Sequence, residues 1–207
     1  LLQESKEENV PKALLDLMRE NRVTEWDIQN AVEEKGYFPN MPIEKYPEDV
    51  KAIAKDGHDL GNHSENHKQM SRLTANECME EIMKPHQKVK ALTGKDMILF
   101  RPPYGDYNNT LIQTLKGCNY YGIQWDVDSL DWKDYDASTI IRKVTEHKHL
   151  GNGSIILCHN GAKHTAEALD EMIRTLKGKG YELVPVSQLI LKDNYTIRSD
   201  GRQCPGK

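Results

Sequence analysis

A chain of 207 residues is long enough to bury one full hydrophobic core and too short for two comfortable ones. Its formal net charge is -4 with both signs scattered along it, so it lacks the basic stripe of a nucleic-acid or anionic-membrane binder, and an uncharged or mixed partner fits better. No long apolar run occurs and residues 1–6 lack a charged stretch leading into an apolar one, so neither a membrane span nor a signal peptide is expected; in an exported protein the signal is already removed. Cys78, Cys118, Cys158 and Cys204 lie far apart without CxxC spacing, which argues against a zinc ribbon or a disulfide-stapled scaffold.

In chain order, Ala13, Leu14, Leu17 and Met18 recur at helical spacing and predict a helix over 11–18. Residues 25–42 mix helix-compatible and turn residues and predict a short helix and a loop. Val50, Ile53 and Ala54 form the apolar stripe of a helix over 47–55, stopped by Gly57. Short apolar runs at 59–62, 97–101, 120–128, 154–158 and 182–186 then alternate with helices at 75–92, 109–117, 137–147 and 166–179. Such alternation reads as an α/β fold, a parallel sheet with crossover helices, in one domain over 1–191. The polar stretch 192–207 reads as a mobile tail.

Chemistry in parallel-strand barrels is built at the carboxyl ends of strands, and clusters of reactive side chains stand at the ends of four of these runs. After 59–62 come His63-Ser64-Glu65-Asn66-His67, whose imidazoles, four apart, share a face if the loop turns helically and then reach one Zn²⁺ or similar cation. Spacing alone equally allows two solvated histidines. After 97–101 come Arg101-Pro102-Pro103-Tyr104-Gly105, where two prolines hold the Arg101 guanidinium and the Tyr104 N–H in place, as an oxyanion site needs and a structural turn also explains. In 125–132, Asp126 and Asp128 alternate with Trp125 and Val127, offering a carboxylate to orient a histidine and an aromatic to stack on a sugar, or merely a turn with a core indole. The run Ile155-Ile156-Leu157-Cys158 ends in His159, placed for acid or base work or simply closing a strand. Cys158 reads as a buried strand residue, and His58, His86, His147, His149 and His164 as surface residues.

Together and in this order, these motifs resemble those of the polysaccharide deacetylases of carbohydrate esterase family four, over about residues 46–189 and the helix 11–18. The resemblance implies a distorted (β/α) barrel and the metal-dependent removal of N- or O-acetyl groups from a cell-wall or chitin-like polysaccharide outside the cell or at its wall. It implies His63 and His67 as ligands of a divalent metal, with zinc expected and cobalt or manganese as alternatives. His159 becomes the general acid, Asp131 the residue that holds its ring, and Arg101 the partner of the catalytic base. Leu157 and Trp132 wall the acetyl slot, the Tyr104 N–H meets the oxyanion, and Asp128 opens the fourth motif as a substrate-side carboxylate. A metal-activated water, its pKa lowered towards roughly 7, is the nucleophile.

The chain departs from the family on the first strand, where an Asp-Asp motif supplies the base and a third metal ligand. Residues 1–5 read Leu1-Leu2-Gln3-Glu4-Ser5, with Glu4 the only carboxylate, and Glu25-Trp26-Asp27-Ile28 replace the apolar second strand. The first strands are therefore expected to be missing or remodelled. A lost general base costs on the order of 10² to 10⁴ in rate, and two histidines with water hold a cation weakly. The competing expectation is a catalytically impaired homologue that binds glycan without efficient turnover.

Overall fold

The computed structural model describes residues 43–159, 161–198 and 201–206. The expected helix at 11–18, the segment 25–42 and the residues around Glu4 lie outside that range.

Helix α1 (Pro47–Lys55) begins with Pro47 in its first turn beside Glu48 and Asp49 and ends with Lys55, each end matched to the helix dipole. Helix α2 (Ala75–Thr93) opens on a capping box, the Thr74 side chain accepting from the Glu77 N–H while the Glu77 side chain accepts from the Thr74 N–H. It closes on Gly94, whose φ of 72° suits a residue without Cβ. Asn108 and Asp136 cap α3 (Asn109–Gly117) and α4 (Ala137–Thr145) by accepting from Leu111 N–H and Thr139 N–H. Helix α5 (Thr165–Gly178) buries Ala168, Met172 and Leu176, and the short α6 (Val186–Leu189) follows.

Strands β1 (Gly61–Asn62), β2 (Leu99–Phe100) and β3 (Tyr121–Gly122) form a parallel sheet in that order, and β4 (Val127–Asp128) pairs in parallel with β5 (Ile156–Leu157). Consecutive residues of a strand face opposite sides of a sheet. Phe100 therefore joins the cluster of Ile53, Met70, Ile82, Val89, Leu111 and Leu115, while Leu99 joins Ile123 and Val186. Burial on both faces explains why the run around β2 reads as continuously apolar. A further cluster, Val127, Val144, Met172 and Leu176, fills the space under β4 and β5.

Three expectations need correction. The stretch read as one strand over 120–128 is two, with residues 123–126 between them changing partners: the Ile123 N–H donates to Phe100 C=O, whereas the Asp126 and Val127 N–H groups donate to Ile155 C=O. The expected strand at 182–186 does not form. Leu183 and Val184 are exposed, and Pro185, whose ring fixes φ, starts α6 instead, with Asp59 accepting from the Ser187 N–H and hydroxyl at 2.8 and 2.7 Å. The polar tail is not loose. Strands β6 (Tyr195–Ile197) and β7 (Gln203–Pro205) pair antiparallel, and the Gln203 amide both accepts from and donates to the Leu191 backbone.

Among the described residues no disulfide joins the cysteines, and no helix is long and apolar enough to cross a membrane. Since Phe100 is fully buried at the centre of the first sheet, Phe100→Ala is expected to lower stability by about 3–5 kcal/mol, read as an earlier midpoint in denaturant unfolding.

Candidate active site

The chain leaves β1 directly into the His63–His67 loop, and this loop does not turn helically. Ser64 and His67 have φ of 73° and 51°, a left-handed conformation that costs a non-glycine residue free energy and persists only when its surroundings enforce it. Here Asn62 Oδ1 accepts from the Ser64 N–H at 3.0 Å, and Ser64 Oγ accepts from the His67 N–H at 2.9 Å. The two turns bring the rings together, with centroids 4.9 Å apart and planes inclined at 72°. Below the loop, Glu81 of α2 accepts from both the backbone and side chain of Asn66 and pairs with Lys68. Burial pushes the Glu81 carboxyl upwards, but its bonds to Asn66 and Lys68 outweigh this and hold it below its ordinary value.

Arg101 follows β2 and is buried, and its carbonyl receives the His63 Nδ1–H at 2.5 Å. A carbonyl only accepts, so this bond places a proton on His63 Nδ1, and in the neutral ring the lone pair is then on Nε2. Tyr104 also lies in the left-handed region, at φ 60°, and its ring meets the His67 ring edge-on at 4.7 Å. The Tyr104 N–H donates no hydrogen bond among the described residues. Gly105 at φ 64° lies so close to Trp125 that a Cβ would stand 3.1 Å from Cη2, and its carbonyl accepts from Gln124 Nε2 at 2.9 Å. The turn after β2 is thus held by the segment after β3.

At the end of β4, Asp128 Oδ1 accepts from the Leu130 N–H at 2.9 Å, supporting Leu130 at φ 54°. Asp131 opens a single 3₁₀ turn through Lys133 and has no solvent exposure. Its Oδ1 accepts from His159 Nδ1–H at 2.6 Å, and its Oδ2 accepts from the His159 N–H and the Thr165 hydroxyl, both at 2.7 Å. Burial drives the Asp131 carboxyl upwards, yet His159 and Thr165 together hold it below the usual carboxylate value. Donation from Nδ1 turns His159 Nε2 away from the carboxylate, and the imidazole is one-third exposed. Leu157 is buried and in register with Asp128, and Trp132 is half-buried beneath the Lys133 ammonium, 4.9 Å from the ring centre.

The structure therefore gathers His63, His67, Arg101 and Tyr104 at the ends of β1 and β2, and Asp128, Asp131, Trp132, Leu157 and His159 at the ends of β4 and β5. One extended stretch, residues 121–129, joins the two groups: it bonds to β2 just before Arg101, and its Ser129 N–H donates to Leu157 C=O. Two expected site contributors have other work. Asp126 accepts from the Ser154 hydroxyl and the Ile155 N–H, and Trp125 packs on Gly105. His86 is not a plain surface residue, since its Nδ1 lies 2.6 Å from the buried Tyr120 hydroxyl and its Nε2 3.0 Å from Asp96. Sequence reasoning missed Glu81 and Thr165. Glu81 interrupts the apolar face of α2, three residues from Cys78 and four from Pro85, and that interruption is a readable signal; Thr165 had none.

As a donor set for a cation, two imidazoles at this separation, one with its tautomer fixed by a backbone carbonyl, fit a divalent metal as far as they go. Among the described residues no third His, Cys, Asp or Glu joins them.

Reactive side chains at the carboxyl ends of parallel strands place the chain among α/β proteins whose chemistry sits at that rim. The family model for polysaccharide deacetylase matches residues 5–123, and the chain belongs to that family. It is 37% identical over 147 residues to the peptidoglycan-N-acetylmuramic acid deacetylase PdaC of Bacillus subtilis, covering 71% of this chain and 30% of that protein. It is 34% identical over 168 residues to a peptidoglycan-N-acetylglucosamine deacetylase of Bacillus cereus, covering 78% and 59%. The chain thus spans well under two-thirds of either relative. Among solved structures it is similar to a CE4 family pseudoenzyme from Bacillus anthracis, with a TM-score of 0.66, 28% identity, and coverage of 71% of this chain and 51% of that one. A mutant of that pseudoenzyme described as having restored enzymatic activity matches with a TM-score of 0.66 and 29% identity, covering 71% and 53%.

Replacing Asp131 by Asn is expected to cost about 2–3 kcal/mol at neutral pH, because a buried charge-assisted network loses its acceptor. The folded carboxyl titrates below its unfolded value of 3.8, so this contribution is fully present above that value and is lost as the pH falls through the folded one. Urea unfolding of both proteins from pH 7 downwards should show the gap between them closing only at the acidic end.

Proposed function

We propose that this chain hydrolyses acetyl groups, foremost N-acetyl, on a cell-wall or chitin-like polysaccharide with the help of a divalent metal, zinc in the first place. The observation that carries the reading is the His159 ring seated through Nδ1 on a fully buried Asp131 at the rim of the parallel strands. His63 and His67 would hold the cation, which when bound supplies Lewis-acid polarisation of the acetyl carbonyl and makes water more acidic. The Tyr104 N–H, directed by its left-handed backbone, donates to the oxygen that becomes negative as water adds to the carbonyl carbon. His159, in its imidazolium form, then delivers the Nε2 proton to the nitrogen as the C–N bond breaks, releasing acetate and leaving an amine on the sugar, while the proton lost by the attacking water passes to a base. Asp131 keeps the ring in the direction this transfer needs and stabilises its positive charge. Leu157 and Trp132 wall the acetyl slot, Asp128 holds the turn beside it, and Arg101 orients His63 through its carbonyl. The distorted (β/α) barrel with remodelled first strands, and a location outside the cell or at its wall, belong to the same reading.

A second reading is favoured by a specific observation: a solved structural relative is named a pseudoenzyme. On that reading the groove binds acetylated glycan without efficient turnover. Acetate release from acetylated chito-oligosaccharide and from peptidoglycan, with Zn²⁺ or Co²⁺ supplied, separates the two. Activity that requires metal and falls by about 10² to 10⁴ in His159→Ala supports the hydrolase. Glycan binding with no acetate under either metal supports the binder.

A further inference from the structure

Helix α2 carries a single charged side chain on its buried face. Glu81 is 3% exposed and shares that face with Cys78, Ile82, Pro85 and Val89. Its carboxylate is satisfied by the loop after β1: Oε2 accepts from the Asn66 N–H at 2.8 Å, while Oε1 accepts from Asn66 Nδ2 at 2.8 Å and pairs with Lys68 Nζ at 2.9 Å. These partners stand immediately before and after His67, the residue whose backbone is left-handed. A second brace runs parallel, Lys88 of the same helix meeting Glu65 at 2.5 Å. A tether serving only to dock α2 could end anywhere on the loop, but this one flanks a strained residue on both sides. Strain of that kind survives where the surroundings over-determine it.

We propose that Glu81 is a positioning residue for the cation site: its carboxylate fixes the backbone on both sides of His67, aims the His67 ring at His63, and thereby sets the affinity for a divalent cation. This rests on the reading of His63 and His67 as cation ligands. A glutamine at the same place keeps the volume but has one acceptor oxygen, and its NH₂ faces the donors of Asn66 and Lys68. The loop then loses the set of bonds that holds the left-handed turn.

The test uses the full chain and two single variants, Glu81→Gln and, as a control, Glu80→Gln, whose carboxylate is exposed and paired with Lys84 on the same helix. Two quantities are read: Co²⁺ affinity from the absorption of the bound ion, and the His67 imidazole proton resonances of the metal-free protein, which carry a ring-current shift from Tyr104 at 4.7 Å. The expected result is Co²⁺ binding weakened by about 10–100-fold in Glu81→Gln, with the His67 resonances moved and both readings unchanged in Glu80→Gln. A purely structural tether predicts a lower melting temperature with both readings unchanged, which overturns the proposal. If Glu81→Gln does not fold, Glu81→Asp keeps the charge one methylene short; wild-type affinity and His67 resonances in that variant also overturn it. Absence of Co²⁺ binding in the parent chain sinks the ligand reading and the claim on affinity, while the positioning role still stands or falls on the His67 resonances.

Discussion

The site depends on one buried carboxylate. Asp131 has no solvent exposure and accepts three hydrogen bonds, from the backbone and ring of His159 and from Thr165. Those donors belong to the end of β5 and the start of α5, while Asp131 itself follows β4, so a single ionised group pins three elements at one point. An isolated carboxylate in that place would be strongly unfavourable, and burial alone does push its pKa upwards. The donors outweigh burial only while the strands hold their register, because Asp128 opposite Leu157 is what brings residue 131 alongside residue 159. Packing of Val127 against Val144, Met172 and Leu176 underwrites that register. Core and site are therefore coupled: loosening the second sheet would first be felt as a carboxylate without partners.

The other half of the rim follows the same logic with strain in place of charge. Seven non-glycine residues with positive φ occur among those described, and Ser64, His67, Tyr104 and Leu130 fall within the motif loops. Each left-handed residue turns the chain more sharply than an ordinary loop does, so a side chain just beyond a strand can be directed back over the sheet. The cost is met locally, by the Asn62 and Ser64 side chains in the first loop, by Asp128 at Leu130, and by Trp125 and Gln124 against Gly105. The first loop needs support from beneath as well, and α2 provides it through Glu81 and Lys88.

Local rules reached much of this from sequence. The limits of α1 and α3 were legible to the residue, because Pro47 with Gly57 and Asn108 with Gly117 punctuate their apolar stripes. All nine expected site residues lie at strand ends, since an apolar run stopping at a polar or proline-rich motif is a strong signal. What stayed hidden depends on partners distant in sequence. The spacing of His63 and His67 left the shape of their loop open, because that shape is imposed by Asn62, Ser64 and Glu81 rather than by helical periodicity. The run 120–128 reads as one strand because its pattern is continuous, although its first part pairs with β2 and its last with β5. The tail reads as polar and loose because the Gln203–Leu191 clasp has no periodic signature.

The buried carboxylates bear on what the rim of the sheet is built for. A groove that only bound sugar would use Tyr104, Trp132 and Leu157, surfaces that stack and exclude water, and would have no need of a histidine directed by a fully buried carboxylate. Replacing such a buried polar network by apolar groups of similar volume is often neutral or stabilising, so stability alone gives weak reason to keep it. Proton transfer gives a strong one, because it requires a ring with Nε2 facing outwards and a carboxylate that stabilises its charged form, and the Asp131–His159 bond provides both. The same reasoning applies to Glu81, a buried charge whose partners flank His67 on both sides. Both carboxylates thus fix the direction of an imidazole rather than add to the packing of the core.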